Sequence, residues 1–471
     1  MISKPIRRTL LLLPLFALVA ACGGGSGSSS SAGSSGTTTP TLQSIAVTPA
    51  NAVVAVGTSV QFTATGTYSD GKQSAITSGV TWSVAGVNAT VSTTGLATGK
   101  TAGTDTISAT VGSVKGSAAL TIKAPWVLAT GGGYHTLARK ADGSLLGWGL
   151  NRSGQIGDGS SADQNAPTVI GADKNWNLVA AGEFHTLALR SDGTLWAWGF
   201  NQNGQLGDGT TVDRSAPVKI GSASNWVAVA AGKAHSLAVK ADGSLWAWGR
   251  NFNGQLGDGT TVDKLVPTRI GTLTSWKAVA AGDSHSVGRT ADGKLYVWGG
   301  NANGQLGLGT TTDGSAPALL GSSTWVALAA GGSHTLAIRA DGALFGWGAN
   351  DNGQVGNDDS GTDVSAPVQI GTDTSWASVA AGGQHSLALK TSGTLWAWGA
   401  DSDGQLGDGG ALDVAGPKRI GTAANWTAIE AGKLHSVGIQ ADNSLWTWGR
   451  NTEGQLGLGT TASVNVPAAV P

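Results

Sequence analysis

From Trp126 onward, apolar and polar positions recur in a fixed order. In the unit that opens at Trp226, His235-Ser236-Leu237-Ala238-Val239-Lys240 alternates as a half-buried strand does. Ala241-Asp242-Gly243-Ser244 interrupts it. Asp-Gly between alternating runs is the strongest short hairpin signal, and its two-residue form puts both central residues at positive φ. Leu245-Trp246-Ala247-Trp248-Gly249 is apolar on both faces, which predicts a strand covered by like sheets on either side. Asn253-Gly254-Gln255-Leu256-Gly257 reads as a glycine-punctuated turn. Pro267-Thr268-Arg269-Ile270 reads as a fourth strand, with proline at its start, where no ladder N–H is needed. The opening tryptophan returns at Trp126, Trp176, Trp226, Trp276, Trp325, Trp376 and Trp426, at intervals of 50 residues with one of 49 and one of 51. A period of this length marks a solenoid or a propeller, and glycine inside every unit disfavours helices. Four short strands per unit, seven times over, predict a seven-bladed β-propeller. Pro467-Ala468-Ala469-Val470 matches Pro217-Val218-Lys219-Ile220, and no such strand directly precedes Trp126. Two closures stay open: blades that coincide with repeats, or offset blades in which the last strand zips the ring.

The hairpin position varies in an instructive way. It is Asp-Gly at 142, 192, 242, 292 and 341, Ser392-Gly393 in the sixth unit and Asp442-Asn443 in the seventh. Asparagine is the other residue that tolerates positive φ, so the position serves turn geometry. The motifs AG-x-x-H-[ST] and WG-x-N-x-x-GQLG resemble the regulator of chromosome condensation repeat across Trp126 to Pro471. A kelch reading lacks its glycine doublet and tyrosine pattern. Members of the family that gave the repeat its name act as nucleotide exchange factors for a small GTPase and bind chromatin.

Residues 41–123 have a different pattern. Val60-Gln61-Phe62-Thr63-Ala64-Thr65 alternates, Ser69-Asp70-Gly71-Lys72 is a turn, and Val80-Thr81-Trp82-Ser83-Val84 supplies one large core anchor. Thr106 to Val111 and Ala118 to Ile122 read as further strands, and their spacing predicts a β-sandwich. LQSIAVTPA, VGTSVQFTATGTYSDG, VTWSV and STTGLATGKTAGTDTISAT together resemble a bacterial immunoglobulin-like domain of group 2. That resemblance implies a stalk or an adhesive module at a cell surface. The expected fold class is therefore all-β: a seven-bladed β-propeller over 124–471 with an N-terminal immunoglobulin-like β-sandwich.

The N-terminal residues change the picture of location. Lys4, Arg7 and Arg8 precede an apolar run from Leu10 to Ala21, too short to span a bilayer comfortably. Val19-Ala20-Ala21-Cys22 resembles the lipobox of bacterial lipoproteins, which implies a signal peptide over 1–21 and lipid on Cys22, the single cysteine. Gly23, rather than Asp, after that cysteine implies transfer to an outer membrane or cell surface, with periplasm or secretion as the alternatives. Residues 22–40 are the cysteine to be lipidated and then, from Gly23, glycine, serine, alanine and threonine closed by Pro40, a flexible tether of roughly 20–25 Å reach.

Net charge excludes one class of partner. The whole chain has 28 Lys and Arg against 29 Asp and Glu, and from residue 124 the balance is 21 against 27, or −6. An acidic propeller offers no general field for nucleic acid. Its near-uniform repeats leave no long insertion to pry out a nucleotide, and export would separate it from cytosolic GTPases. Exchange-factor activity is thus an alternative carried by resemblance alone. Inhibition of a secreted enzyme is another, and a carbohydrate-active enzyme a third.

Every histidine falls at one equivalent position: His135, His185, His235, His285, His334, His385 and His435. Packed sheets lie about 10 Å apart and zinc–imidazole bonds are about 2 Å, so neighbouring copies are not expected to share an ion. A catalytic histidine needs a distinctive partner beside it, and each copy has the same neighbours. The expectation is a structural role, with a ring nitrogen bonded to a loop backbone group inside its own blade. Asp208 and Asp213, with their counterparts Asp158 and Asp163, Asp258 and Asp263, and Asp408 and Asp413, fit turn capping better than calcium, which takes six to eight oxygens. No catalytic residue, metal or cofactor is expected, and the chain reads as a monomer.

If constant positions build the blade, recognition belongs to the variable ones. Two windows vary: the pair between glycine and histidine, and the positions after Trp-Gly. Units one to three and seven hold Tyr134, Arg152, Phe184, Phe200, Arg250, Phe252 and Arg450 there, whereas units four to six hold Gly, Ala, Ser, Asp and Gln. In a closed ring the large residues form one arc, and aromatics with arginine are what interface hot spots use. The expected function is a non-enzymatic, lipid-anchored binding protein at the cell envelope. Its partner would be an unidentified protein or glycan, and the lipid on Cys22 its only membrane contact.

Overall fold

The computed structural model describes residues 39–471. The signal peptide, Cys22 and all but the last two residues of the tether lie outside the described residues. No described helix is long and apolar enough to cross a membrane.

Residues 42–123 form ten strands in three small sheets, including a four-stranded one in which Asn51–Ala55 runs parallel to Val114–Lys123. Alternation along Gly103–Val111 and Val114–Lys123 turns Ile107, Ala109, Leu120 and Ile122 inward. The deep anchor is Phe62, 1% exposed, whereas Trp82 is only half-buried at the edge of the core. Trp82, expected as one large core anchor, does pack against that core, from its margin. It lies against Gly95, where a Cβ would come within 2.8 Å of its ring.

Residues 126–469 form seven four-stranded antiparallel sheets, each drawn from one repeat and paired in chain order. In the third, the strands are Trp226–Ala231, His235–Lys240, Leu245–Gly249 and Lys264–Ile270. Blades therefore coincide with repeats, and no strand is exchanged to close the ring. The first strand of each blade is innermost. The third is buried on both faces, as its unbroken apolar run requires: Leu245, Ala247 and Trp248 are wholly enclosed. The fourth strand starts earlier than its proline. Lys264 pairs with Gly249 and Thr268 with Ala247, and Pro267 sits at the irregularity between them. An outer-edge strand tolerates this because one side of its ladder has no partner.

The hairpin differs from expectation as well. Lys140 N–H donates to Ser144 O and Gly143 N–H to Lys140 O, and only Gly143 has positive φ, +83°. This is a three-residue loop with a left-handed glycine closing a turn, not a two-residue one. Asp142 keeps negative φ because its carboxylate accepts the Ser144 N–H at 3.1 Å, which fixes the turn from the other side. Asn443 adopts φ +62°, as its place in the pattern implied.

Adjacent blades share one apolar seam. Leu187, Leu189 and Leu195 of blade two pack with Trp226, Ala238 and Trp248 of blade three. Removing an enclosed tryptophan such as Trp248 costs about 3–5 kcal/mol. The GQLG segment is more than a turn, because it latches one blade to the next. Gln205 O accepts from Trp248 Nε1 at 2.9 Å and from Ser236 Oγ at 2.7 Å. Gly207 lies flat on that indole, where a Cβ would be 2.8 Å from Nε1. The same latch joins blade seven to blade one: Trp148 Nε1 and Thr136 Oγ1 both donate to Gln455 O.

Candidate functional site

Strand direction sorts the loops into two faces. Hairpins such as Asp142-Gly143 and the connectors between blades lie on one face. The loops before each histidine and after each Trp-Gly lie on the other, because Gly131 pairs with Thr136 and Gly149 with His135 at that end. Both variable windows thus share one face, here the loop face. The chain from the sandwich enters at Trp126, on the hairpin face, where Ala141 N–H donates to Pro125 O.

Beneath the loop face runs a ring of histidines, all fully buried. Their partner is not a backbone group inside the blade. His135 Nε2 meets Thr186 Oγ1 of the next blade at 3.2 Å, and His435 Nε2 meets Thr136 Oγ1 at 2.8 Å to complete the ring. Thr186 spends its only proton on Gln155 O, at 2.8 Å. Nε2 must therefore donate, and Nδ1 is left as a bare lone pair without a partner. The hydroxyl after each histidine is what sequence reasoning passed over: it is the receiver on the neighbouring blade. Burial lowers the histidine pKa values to about 3 for His135 and His185 and about 4 for His285 and His435, so all are neutral near pH 7.

Nearer the axis, backbone bonds tie blade to blade, from Gly133 N–H to Gly182 O around to Lys433 N–H to Gly132 O. Glu430 lies on an innermost strand where other blades carry alanine or threonine. Its side chain is solvent-accessible, yet the protein crowded around it pushes its carboxyl up to about 7.

On the loop face, four of the expected arc residues meet. Tyr134 and Phe184 stack at 5.8 Å, Phe200 meets Phe184 edge-on at 6.4 Å, and Arg450 lies over Tyr134 at 5.5 Å. Glu453 holds that guanidinium at 2.9 Å. Lys433 and Glu183 join the ridge from the hub: their 2.5 Å ion pair places the ammonium 5.9 Å from the Tyr134 ring. The arc is not continuous, however. Arg250 and Phe252 form a separate pair at 6.0 Å, with Phe252 71% exposed, and Arg152 stands exposed on its own loop.

Units four to six, with Lys433 and Leu434 of unit seven, line a hollow of ≈330 Å³ beside the ridge. Its floor includes Gly332, Ala349 and Gly383, and its polar groups include Asp283, Ser333, Asp351, Gln384 and Lys433. Sequence reasoning missed it because small residues signal space only once their neighbours are placed.

The paired aspartates hold loops together. Asp213 accepts the Asn201 N–H at 2.8 Å and Asp208 the Asn201 amide at 3.1 Å. Unit six breaks the pattern with Asp401 in place of the asparagine. Its Oδ2 is buried with no partner, and burial first, then Asp408 and Asp413, push its carboxyl up to about 6. Among the described residues, no group of three or more His, Cys, Asp or Glu is arranged to hold a metal ion.

Comparison with known proteins agrees with this architecture. Residues 271–471 match the RCC1-like domain, and 142–189, 192–239 and 242–288 match the regulator of chromosome condensation (RCC1) repeat. Residues 41–122 match the bacterial Ig-like domain (group 2). The crystal structure of human WBSCR16 superposes with TM-score 0.63 at 26% identity, over 70% of this chain and 94% of that one. Yeast Prp20p, from Saccharomyces cerevisiae, gives 0.61 at 28%, over 68% and 84%. Ice-binding protein 1 of Shewanella frigidimarina is 41% identical over 128 residues, 26% of this chain and only 14% of that protein's length. The chain belongs to the regulator of chromosome condensation (RCC1) repeat family and carries a bacterial Ig-like group 2 domain ahead of its propeller.

Proposed function

We propose that this is an exported, lipid-anchored binding protein, without enzymatic activity, that presents the loop face of its propeller to a partner outside the cell. One observation carries the reading: the two variable windows that hold the large residues share one face, and there Tyr134, Phe184, Phe200 and Arg450 form a contiguous ridge. Stacked aromatics bridged to arginine form a rigid anchor of the kind that dominates binding energy at interfaces. The chain enters the propeller on the opposite face, at Trp126. A bacterial Ig-like domain and a partial match to a protein named for ice binding support a place outside the cell.

The test is capture from envelope extracts by the full chain, with the Tyr134→Ala/Phe184→Ala/Phe200→Ala variant as comparison. The expected result is loss of the captured partner with the fold intact. Undiminished capture by the folded variant overturns the role of the ridge. Globomycin-sensitive lipid labelling that disappears in Cys22→Ser tests the anchor separately.

A further inference from the structure

The hollow beside the ridge has its own chemistry. In the two variable windows, units seven and one to three contribute Arg152, Lys233, Arg250, Lys433 and Arg450 against Glu183 and Glu453. Units four to six contribute Asp283, Asp351 and Asp403, with no lysine or arginine. One face therefore has a cationic, aromatic side and an acidic, open side. The two meet at the hub, where Lys433 lines the hollow but is held by Glu183 on the ridge at 2.5 Å.

The acids of the hollow are unspent. Asp283 lines both the hub and the hollow, is half-buried, and its carboxylate accepts no hydrogen bond from any described residue. Burial raises its pKa, and the Glu183 carboxylate adds to this, against the pull of Lys433 and Lys233. Asp351 stands exposed at the rim, again with no hydrogen-bond donor among the described residues. Ser333 Oγ and the Gln384 amide, likewise without partners among those residues, add neutral hydrogen-bonding groups. A half-buried carboxylate that no protein donor meets is left to water, and a cationic donor is the partner that binds it best, because charge-assisted hydrogen bonds are the strong ones.

We infer that the hollow is an anchoring pocket for a basic side chain, arginine or lysine, on a polypeptide partner. Asp283 and Asp351 supply the acceptors, and the glycine and alanine floor supplies the room. A planar guanidinium, which offers five donors and sheds water more readily than an ammonium, fits this acceptor set best. The pocket deepens the proposed binding role of the loop face, and its biological meaning rests on that role; its chemistry stands or falls separately.

The experiment uses the full chain and two blocked peptides, acetyl-Gly-Gly-Arg-Gly-Gly-amide and the same sequence with citrulline, the neutral isostere. A neutral oligosaccharide, maltopentaose, serves as a third probe. Titration followed by calorimetry or amide shifts should show the arginine peptide binding at least about tenfold tighter than the citrulline one, with affinity falling as salt rises. Asp283→Asn and Asp351→Asn should each weaken it by about fivefold or more with unchanged melting temperature. Phe184→Ala, on the ridge, should leave peptide binding unchanged, so that failure of the ridge and failure of the pocket are told apart. Equal binding of the two peptides overturns the proposal, as does undiminished binding by the Asp283→Asn/Asp351→Asn double variant. A preference for maltopentaose assigns the hollow to glycan instead. Absence of arginine-peptide binding up to about 10 mM, near the limit of any useful anchor, also overturns it.

Discussion

The seams between blades and the loop face above them come from the same repeat, yet they behave as two different materials. At each seam a histidine meets a hydroxyl on the next blade, from His135 to Thr186 around to His435 to Thr136. On the loop face the neighbours of those histidines are tyrosine and phenylalanine in two units, glycine and serine in another. Repetition is tolerated, indeed required, where each copy must fit the next. Divergence accumulates on the loop face, where a side chain does not have to fit the core of the next blade. One seam departs from the rule: between blades six and seven, Asp401 Oδ2 and Trp448 Nε1 are both buried without partners.

The largest effect should come from acid. The seven histidines are held neutral in the fold, with values such as about 3 for His235 and about 4 for His285, while in the unfolded chain they titrate near 6.5. Each folded value is depressed, so the stabilisation is complete above 6.5 and drains away as pH falls toward 4. The expected slope is about 1.4 kcal/mol per pH unit for each histidine that the unfolded state protonates. Denaturation midpoints measured from pH 7 to 4.5 should drop steeply. A flat profile would mean that the ring is not neutral and enclosed as described.

Next in size are changes to a single seam. Gly207→Ala would force a Cβ to 2.8 Å from the Trp248 nitrogen at φ +77°, at a cost of about 2–4 kcal/mol. His235→Ala empties a buried site and removes the N–H that Ser286 Oγ accepts, although that hydroxyl keeps its own bond to Gln255 O, at a similar cost. Both should lower the unfolding midpoint in urea and leave ligand capture by the loop face intact. Loss of capture with unchanged stability in His235→Ala would move histidine into the recognition site.

The irregular seam offers a repair. Six blades place an asparagine amide where Asp401 places an oxygen, as Asn201 does in donating to Asp208 and to Thr210 O. Asp401→Asn should stabilise the protein at pH 7 by about 1–3 kcal/mol. Because the folded value for Asp401 is raised to about 6, above its ordinary 3.8, the wild-type side chain fits best as a neutral acid and loses stability as pH climbs from 4 through 6. The advantage of the variant should therefore shrink toward pH 4 in thermal melts. An equal gain at both pH values would refute the assignment. The smallest effect belongs to the exposed pair: Arg250→Ala/Phe252→Ala should shift stability by no more than about 0.5 kcal/mol per site in calorimetry.

Much of the fold could be read in advance because its signals are local. Trp126 and its six equivalents mark the start of every blade, and the doubly apolar run at Leu245 does become a strand buried on both faces. What escaped depended on the neighbouring copy. The partner of His135 lies 51 residues away, on another sheet. Gln205 looked like part of a turn, although its carbonyl fastens the next blade. Asp142 looked like a positive-φ residue until its own carboxylate proved to hold the turn. The ridge was legible as a set of large residues, but not that Arg152, Arg250 and Phe252 stand apart from it. The hollow was invisible, because an opening is defined by atoms on four units at once.

Each wedge of the wheel is woven from one uninterrupted segment, so cutting the polypeptide between two wedges separates no paired strands. Duplication or loss of a repeat can then alter the count without reweaving any sheet, and shuffling whole repeats would carry the acidic sector to a new bearing on the rim. Recognition in such a molecule is modular by arrangement: the order of the segments, as much as their content, sets which chemistries stand side by side.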